Sequence, residues 1–182
     1  MTTLGFIRHG ITAWNKEGRE QGRLDIPLHQ DGIVSAQLLA KKLADEHWDA
    51  IFTSPLARAQ QTAEIIAQQF NTISVQTDMR LCEIGTGLME GTTEQERIAQ
   101  WGLHWRSLEL GIEPEQEIIA RCQSFLHDVK QTYPNKRILV VSHGDLLRRL
   151  LQLFGYDLPR MDNTALTIIQ QNQLLLFNYT AH

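Results

Sequence analysis

Two histidines in this chain each follow a short apolar run and each precede a glycine. His9 and the adjacent Arg8 come after the apolar run at 4–7, and His143 comes shortly after the run at 138–141. Apolar runs of this length are typical of buried strands. Ligands of open α/β sheets bind in the crevice outside the carboxyl ends of the strands. We therefore expect His9 and His143 to meet in one pocket.

The residues next to the first histidine favour an anionic ligand. An imidazole at a strand end serves as nucleophile, base, metal ligand or plain core residue, and a histidine alone would favour the last. Arg8 changes this expectation, because a guanidinium pairs with phosphate oxygens through two parallel hydrogen bonds. Gly10 lets a bulky anion approach the backbone closely.

A predicted helix start supplies a second cation. Ser54 is the expected N-cap and Pro55 the expected first helical residue. Arg58 then lies about one turn into the helix, near the positive end of the helix dipole, where a cation costs a few tenths of a kcal/mol up to ~1 kcal/mol. A bound anion would offset this cost. In the alternative interpretation, Arg58 points to solvent.

Glu83 is the candidate proton donor. Its apolar neighbours would raise its pKa and keep it protonated as a general acid, and the alternative is a surface carboxylate on a turn. Gly144 opens a helix whose N–H groups are expected to bind an anion. Metal binding is the competing use of His9, His143, Glu83 and Cys82. No H-x-H motif, H-E-x-x-H motif or cysteine pair supports it, and no metal is predicted.

Alternating strands and helices are expected to position these residues. Strand-like runs occur at 3–8, 49–53, 72–76, 137–142, 164–170 and 174–179, and helical periodicity fills most of the intervals. A hairpin turn is expected at 170–173. The alternation predicts an α/β fold, a three-layer sandwich with a mostly parallel central sheet and helices on both faces.

Length and composition indicate one globular domain over residues 1–182. The net charge of -4 and the lack of a Lys/Arg-rich run argue against nucleic acid as a partner. No apolar run approaches the ~18 residues of a membrane span, and the N-terminal residues lack the features of a signal peptide. We expect a cytoplasmic protein in which Cys82 and Cys122 are buried and unpaired.

Residues 86–113 differ from the rest of the chain. The segment starts with glycines and continues with two tryptophans among charged residues. It is either a helical cap over the site or an ordinary connecting helix. Its Leu88, Met89, Trp101 and Trp105 either line an apolar wall of the pocket or belong to the core.

In order along almost the whole chain, these motifs resemble the histidine phosphatase superfamily, also called phosphoglycerate-mutase-like. The matching residues are Arg8–Gly10 with Thr12, Trp14 and Asn15; Gln21–Leu28; Ser54–Ala59 with Thr62 and Ala63; Leu81 and Glu83; Gly87, Glu90 and Gly91; Val141–Gly144 with Arg148; and Asn163 with Thr164.

The resemblance implies phosphoryl transfer through a phosphohistidine, without a cofactor. His9 would be the nucleophile, and Glu83 would protonate the departing alkoxide and later activate water. A protonated, or at least hydrogen-bond-donating, His143 would hold the phosphoryl oxygens together with Arg8 and Arg58. The further phosphate-binding residues that the resemblance implies are Asn15, Gln21, Gly22 and Gly144.

The resemblance favours a histidine acid-type phosphatase acting on a small-molecule phosphomonoester. Residues 84–91 are similar to the Gly-x-Trp-Glu-Gly segment common in the phosphatase branch, with Met89 in place of the tryptophan. A cofactor-dependent phosphoglycerate mutase and a non-catalytic phosphate- or phosphoprotein-binding module are the alternatives. Asp145 either disfavours highly charged substrates or complements the helix dipole. The oligomeric state is not predicted.

Overall fold

A computed structural model of the protein describes residues 1–70 and 73–181. Its strands are β1 (Thr3–Arg8), β2 (Ala50–Thr53), β3 (Val75–Thr77), β4 (Arg137–Ser142), β5 (Leu166–Gln170) and β6 (Gln173–Tyr179). Its α-helices are α1 (Ala13–Glu17), α2 (Gln30–Leu43), α3 (Ala57–Ala67), α4 (Glu94–Trp101), α5 (Glu115–Thr132) and α6 (Gly144–Gln152). Short 3-10 helices lie at Met79–Leu81, Gly87–Met89 and Trp105–Ser107.

The strands form one six-stranded sheet in the order β3-β2-β4-β1-β5-β6. The neighbours from β3 to β1 run parallel, and β5 and β6 add an antiparallel edge. This arrangement confirms the predicted mostly parallel α/β sheet. In the register of the central pair, Arg8 of β1 lies opposite Ser142 of β4. The residues that follow these two, His9 and His143, therefore leave the sheet side by side.

The two faces of the sheet each carry a separate hydrophobic core, as expected for a three-layer sandwich. On one face, α5 and α6 pack through the apolar stripes that their sequences show, and the buried stripe of α5 is Ile118, Cys122, Phe125 and Val129. On the other face, α2 and α3 pack against the opposite side chains of the same strands. Both cysteines are buried and free, as predicted. No described helix has the length and apolar character of a membrane span.

The predicted strands lie close to the observed ones. The expected hairpin is present, and Gln171 and Asn172 make its turn with φ of 54° and 61°. The third strand begins at Val75 rather than 72. Thr72, the first residue of that prediction, lies outside the described residues.

The predicted start of α3 is wrong. The helix begins at Ala57, and its N-cap residue is Leu56, not Ser54. The Ser54 hydroxyl accepts the N–H of Leu56 and contacts the ring of His143, so it serves the site. The first helical N–H, that of Ala57, donates to a carboxylate from another part of the chain, Asp25. Arg58 is accordingly the second residue of the helix rather than one turn in.

Residues 86–113 are not one connecting helix. The segment contains α4 between two 3-10 helices, and its Met89, Trp105 and Leu110 form a small core of their own. Hydrogen bonds between Leu88 N–H and the Leu110 carbonyl and between Glu113 N–H and the Gly85 carbonyl close its two ends. Its aromatic residues are therefore core residues of the segment.

Candidate active site

His9 and His143 lie next to each other at the carboxyl ends of β1 and β4. Their ring centroids are 5.1 Å apart, with the ring planes inclined by 56°. Both residues are buried. The parallel pairing of two apolar strands thus brings the two histidines together across most of the sequence.

The hydrogen bonds of His9 leave one ring nitrogen with its lone pair. Nδ1 lies 2.7 Å from the Gly10 carbonyl, and because a carbonyl only accepts, Nδ1 carries the proton. Nε2 is then the unprotonated nitrogen. Burial lowers the pKa of His9 well below its usual value, and the positive charges of Arg58 and Arg8 lower it further. The ring is therefore neutral and suited to nucleophilic attack.

One ring nitrogen of His143 contacts a hydroxyl, and the other is unpartnered among the described residues. Its Nε2 lies 2.8 Å from the Ser54 hydroxyl. The hydroxyl accepts the Leu56 N–H and has one proton of its own to donate. When it donates this proton to Nε2, the ring proton lies on Nδ1. Nδ1 is buried and has no partner within the described part of the chain. Burial and the charge of Arg58 lower the pKa of His143, so a neutral donor is expected rather than an imidazolium.

Arg8 and Arg58 are two buried cations held by backbone carbonyls. Nη1 of Arg8 donates to the Met161 carbonyl at 2.7 Å, and Arg58 donates to the carbonyls of Leu24 and Gly22 at 2.7 and 2.8 Å. Neither guanidinium has a carboxylate partner in the residues that the structure describes, and Nε of each is buried without a partner. Burial lowers the pKa of Arg8 to about 10. Buried charges are normally paired, so the arrangement suits a bound anion.

Glu83 is buried beside these cations, at the start of α6. Its carboxylate accepts the N–H groups of Ile84 and Leu146 at 3.0 Å and that of Asp145 at 3.4 Å. Burial raises the pKa of Glu83, and the charge of Asp145 raises it further. The expectation that the N-terminal N–H groups of α6 bind the anion is therefore wrong for Asp145 and Leu146, because these groups hold Glu83.

Two side-chain amides are oriented by the hydroxyl of Thr12. The Thr12 oxygen lies 3.1 Å from Oδ1 of Asn15 and 3.0 Å from Oε1 of Gln21. The Thr12 N–H also donates to Asn15 Oδ1, which completes the capping box of α1. With both carbonyl oxygens occupied by Thr12, the two NH₂ groups are the donors available to a ligand.

A cavity of about 290 Å³ collects most of the predicted site residues. Its lining is mainly polar and comprises Arg8, His9, Ile11, Trp14, Asn15, Gly18, Arg19, Glu20, Gln21, Gly22, Arg58, Glu83, Arg160 and Asn163. His143 and Gly144 are not among the lining residues, although the ring of His143 lies next to that of His9. None of the four apolar residues considered as a wall lines the cavity; Met89 and Trp105 are buried in their own cluster, and Leu88 is exposed.

Several residues that support the site were not singled out for it from the sequence. Thr62 accepts the Gly10 N–H, and the amide of Asn163 donates to the His9 carbonyl, so both fix the loop after β1. Glu90 accepts the N–H groups of Arg23 and Thr86 and packs against Gly22. Thr62, Asn163 and Glu90 all belong to motifs quoted for the resemblance, which is the signal that could have found them.

Arg160 also lies in this cavity without having been predicted. Its guanidinium has one carboxylate neighbour among the described residues, Asp145, at 3.4 Å. No motif marks it in the sequence. Within the same part of the chain, no group of three or more His, Cys, Asp or Glu side chains could hold a metal ion.

A model of the histidine phosphatase superfamily, branch 1, matches residues 4–176. The chain belongs to this superfamily. The uncharacterized phosphatase PhoE of Bacillus subtilis (strain 168) is 36% identical over 167 residues, which cover 91% of this chain and 84% of the relative. Phosphoserine phosphatase 1 of Hydrogenobacter thermophilus is 32% identical over 200 residues, which cover 100% of this chain and 94% of the relative.

A solved phosphatase structure aligns with nearly the whole chain. A mycobacterial glucosyl-3-phosphoglycerate phosphatase, solved with VO3, superposes with a TM-score of 0.87 at 26% identity. The alignment covers 97% of this chain and 98% of that protein. The similarity therefore extends over the sheet, both helical layers and the segment at 86–113.

Proposed function

We propose that the chain is a histidine acid-type phosphatase that hydrolyses small phosphomonoesters through a phosphohistidine on His9, without a metal ion. One observation carries the proposal: the free Nε2 of His9 lies in a cavity with two buried arginines that no described carboxylate neutralises. A phosphoryl group supplies the missing negative charge and presents phosphorus to the nitrogen lone pair. The names of the relatives support a phosphatase.

In the first step, Nε2 of His9 attacks phosphorus in line with the leaving oxygen. The N–P bond forms while the P–O bond to the leaving group breaks, and Glu83 gives its proton to the departing alkoxide. Arg8, Arg58 and Nδ1–H of His143 hold the three equatorial oxygens and neutralise their charge. This step yields the free alcohol, phosphohistidine and an ionised Glu83.

In the second step, the Glu83 carboxylate removes a proton from water. The resulting nucleophile attacks phosphorus and the N–P bond breaks, which restores the lone pair of His9 and the proton on Glu83. Inorganic phosphate leaves the cavity. The raised pKa of Glu83 fits both duties, because the carboxyl must hold a proton first and recover one later.

In this proposal, the remaining predicted site residues bind phosphoryl oxygens or position other residues of the site. The NH₂ groups of Asn15 and Gln21 bind phosphoryl oxygens at the cavity side. Gly22 holds Arg58 through its carbonyl. Gly144 stays a proposed phosphate-binding residue, and its lack of a side chain also leaves room for Arg160, which crosses it. The cytoplasm stays the proposed location, because free buried Cys82 and Cys122 suit a reducing compartment.

The decisive experiment measures hydrolysis of p-nitrophenyl phosphate in the presence of EDTA. We expect the wild-type protein to hydrolyse it and the His9→Ala variant to lose that activity. His127→Ala changes an exposed histidine on α5 and serves as the matched control. With radiolabelled substrate, quenched wild-type protein should carry acid-labile phosphate that His9→Ala lacks. Full activity in His9→Ala would refute the proposal.

The alternatives differ in what they do with the phosphoryl group. A mutase would interconvert 2- and 3-phosphoglycerate in the presence of a bisphosphate primer, and a binding module would retain phosphate without turnover. The buried Glu83, whose pKa is raised by burial, argues against the module, because binding alone needs no proton donor.

A further inference from the structure

Arg160 places a further cation in the cavity, outside the buried phosphate-binding residues. Its side chain is 47% exposed, and its Nη2 lies 3.4 Å from Oδ2 of Asp145, whose side chain is 44% exposed. Arg160 lines the same cavity as Arg8 and Glu83. Asp145 is not itself a lining residue, but it lies beside Arg160, and its N–H donates to Glu83 at 3.4 Å. The two side chains form a half-exposed, oppositely charged pair.

The other cations of the cavity are already engaged. Arg8 and Arg58 are buried and, in the proposed function, bind the transferred phosphoryl group. Arg19 forms two hydrogen bonds to the carboxylate of Glu96, at 2.7 and 3.1 Å. Within the described residues, Arg160 forms no carboxylate hydrogen bond as short as those of Arg19, because its contact with Asp145 is 3.4 Å long. Its guanidinium is thus the one among these four that can take a second anionic group of a substrate.

Gly144 sets where this guanidinium lies. A Cβ at Gly144 would fall 2.2 Å from Nε of Arg160 and 3.0 Å from its Cγ, so the arginine crosses the backbone at the start of α6. This path brings its charge close enough to Arg8 to lower the pKa of that residue. A group bound by Arg160 would consequently lie only a few bonds from the phosphoryl group.

We propose that Arg160 and Asp145 recognise the carboxylate and the ammonium group of a small phosphorylated amino acid. The inference rests on the proposed phosphatase function and names its substrate class. A guanidinium binds a carboxylate through two parallel hydrogen bonds, and the neighbouring carboxylate of Asp145 accepts the ammonium. A second phosphate would carry more negative charge toward Asp145 and Glu83, and the cavity of about 290 Å³ admits only a small molecule.

The test compares kcat/KM for O-phosphoserine, 3-phosphoglycerate and O-phosphoethanolamine. O-phosphoserine carries both charged groups, 3-phosphoglycerate carries the carboxylate without the ammonium, and O-phosphoethanolamine carries the ammonium without the carboxylate. We expect the wild type to prefer O-phosphoserine. Arg160→Gln should reduce the preference for O-phosphoserine over O-phosphoethanolamine by about tenfold or more, which corresponds to about 1.4 kcal/mol. Asp145→Asn should reduce the preference for O-phosphoserine over 3-phosphoglycerate.

Two further variants keep the interpretation specific. Gly144→Ala retains the arginine but displaces its side chain, so it should also weaken the preference for the carboxylate. Arg148→Gln is the control. It removes an exposed arginine of α6 that pairs with Asp157, and it should leave the substrate preferences unchanged. If Arg160→Gln lowers kcat/KM for all three substrates by the same factor, the inference is wrong.

Different results test the phosphatase proposal and the substrate inference. Hydrolysis of p-nitrophenyl phosphate with no preference for O-phosphoserine overturns this inference and leaves the phosphatase proposal standing. If no phosphomonoester is hydrolysed, calorimetry on the His9→Ala variant decides. Tighter binding of O-phosphoserine than of O-phosphoethanolamine, lost on adding Arg160→Gln, supports the inference, and equal binding overturns it.

Discussion

The arginines in two parts of this cavity have different hydrogen-bond partners; we call the buried part around Arg8 and Arg58 the floor and the exposed part around Arg160 and Arg19 the mouth. On the floor, Arg8 and Arg58 are buried and are bound by backbone carbonyls. At the mouth, Arg160 and Arg19 are more exposed, and each has a carboxylate neighbour, which is hydrogen-bonded to Arg19 but only loosely in contact with Arg160. A carbonyl orients a guanidinium without cancelling its charge, whereas a hydrogen-bonded carboxylate neutralises it. This difference agrees with the two proposals above, in which the floor performs the chemistry and Arg160 at the mouth selects the substrate.

The largest expected effect comes from the proton donor on the floor. Glu83→Gln keeps the hydrogen-bonding shape but has no proton to give, so kcat should fall by about 10²–10⁴-fold for an alkyl phosphate. The loss should be smaller for p-nitrophenyl phosphate, because p-nitrophenolate leaves without help. Steady-state kinetics with the two substrates measures the difference. Equal losses would contradict the assignment of Glu83 as the acid.

A second test compares one arginine from each region. Arg58→Gln removes a donor to the developing negative charge, and kcat should fall by about 10²–10³-fold. Arg19→Gln removes a partly exposed arginine that is paired with Glu96, and we expect a loss of less than about tenfold. Losses of similar size in the two variants would show that floor and mouth do not divide the work in this way. Circular dichroism confirms that both variants are folded.

Ser54 tests how the floor orients His143. In Ser54→Ala, Nε2 of His143 loses the hydroxyl 2.8 Å away, and the ring proton is free to move from Nδ1 to Nε2. We expect kcat to fall by about tenfold with little change in KM, because donation to the transition state is weakened more than substrate binding. An equal rise in KM with constant kcat would point to a role in binding alone. Thermal unfolding separates this effect from a loss of stability.

The smallest effect is a shift in pH dependence, and it connects the mouth to the floor. The first step needs a protonated Glu83, so activity should fall as the pH rises through the raised pKa of this group. The negative charge of Asp145 contributes to that raised pKa. Asp145→Asn should therefore move the alkaline limb of kcat to lower pH. A limb that stays in place or moves to higher pH would contradict the coupling.

The acidic limb provides an internal control for this measurement. His9 must be unprotonated to attack, and its pKa is lowered by burial and by the floor arginines Arg58 and Arg8. Activity should thus fall only as the pH drops through that lowered pKa. Asp145 is not among the causes that lower it, so Asp145→Asn is expected to move mainly the alkaline limb.

Local sequence patterns predicted the positions of site residues that lie at the ends of strands. His9 and His143 follow apolar runs that pair in parallel, so their proximity could be anticipated. The local sequence left the burial of Glu83 open, because a surface carboxylate on a turn was the alternative interpretation; the structure shows that the side chain is buried. The prediction for the two histidines succeeded because a strand and its polar terminal residue are set by nearby side chains.

Predictions about individual hydrogen bonds succeeded less often. Ser54 was expected to cap α3, but its hydroxyl contacts His143, and Asp25 supplies the cap. The N–H groups at the start of α6 were expected to bind an anion, but Leu146 and Asp145 donate to Glu83. In each case a partner that is distant in sequence competes for the polar group, and local patterns do not contain that partner.

The sequence by itself determined the α/β alternation, the superfamily motifs and the residues able to carry out phosphoryl transfer. Only the tertiary structure decided which charges are neutralised. Arg160 illustrates the difference, since no motif precedes it and it joins the cavity because the glycine at 144 leaves room for its side chain. A motif indicates the chemistry of which its residues are capable, whereas charge pairing depends on distances between residues that are far apart in the sequence.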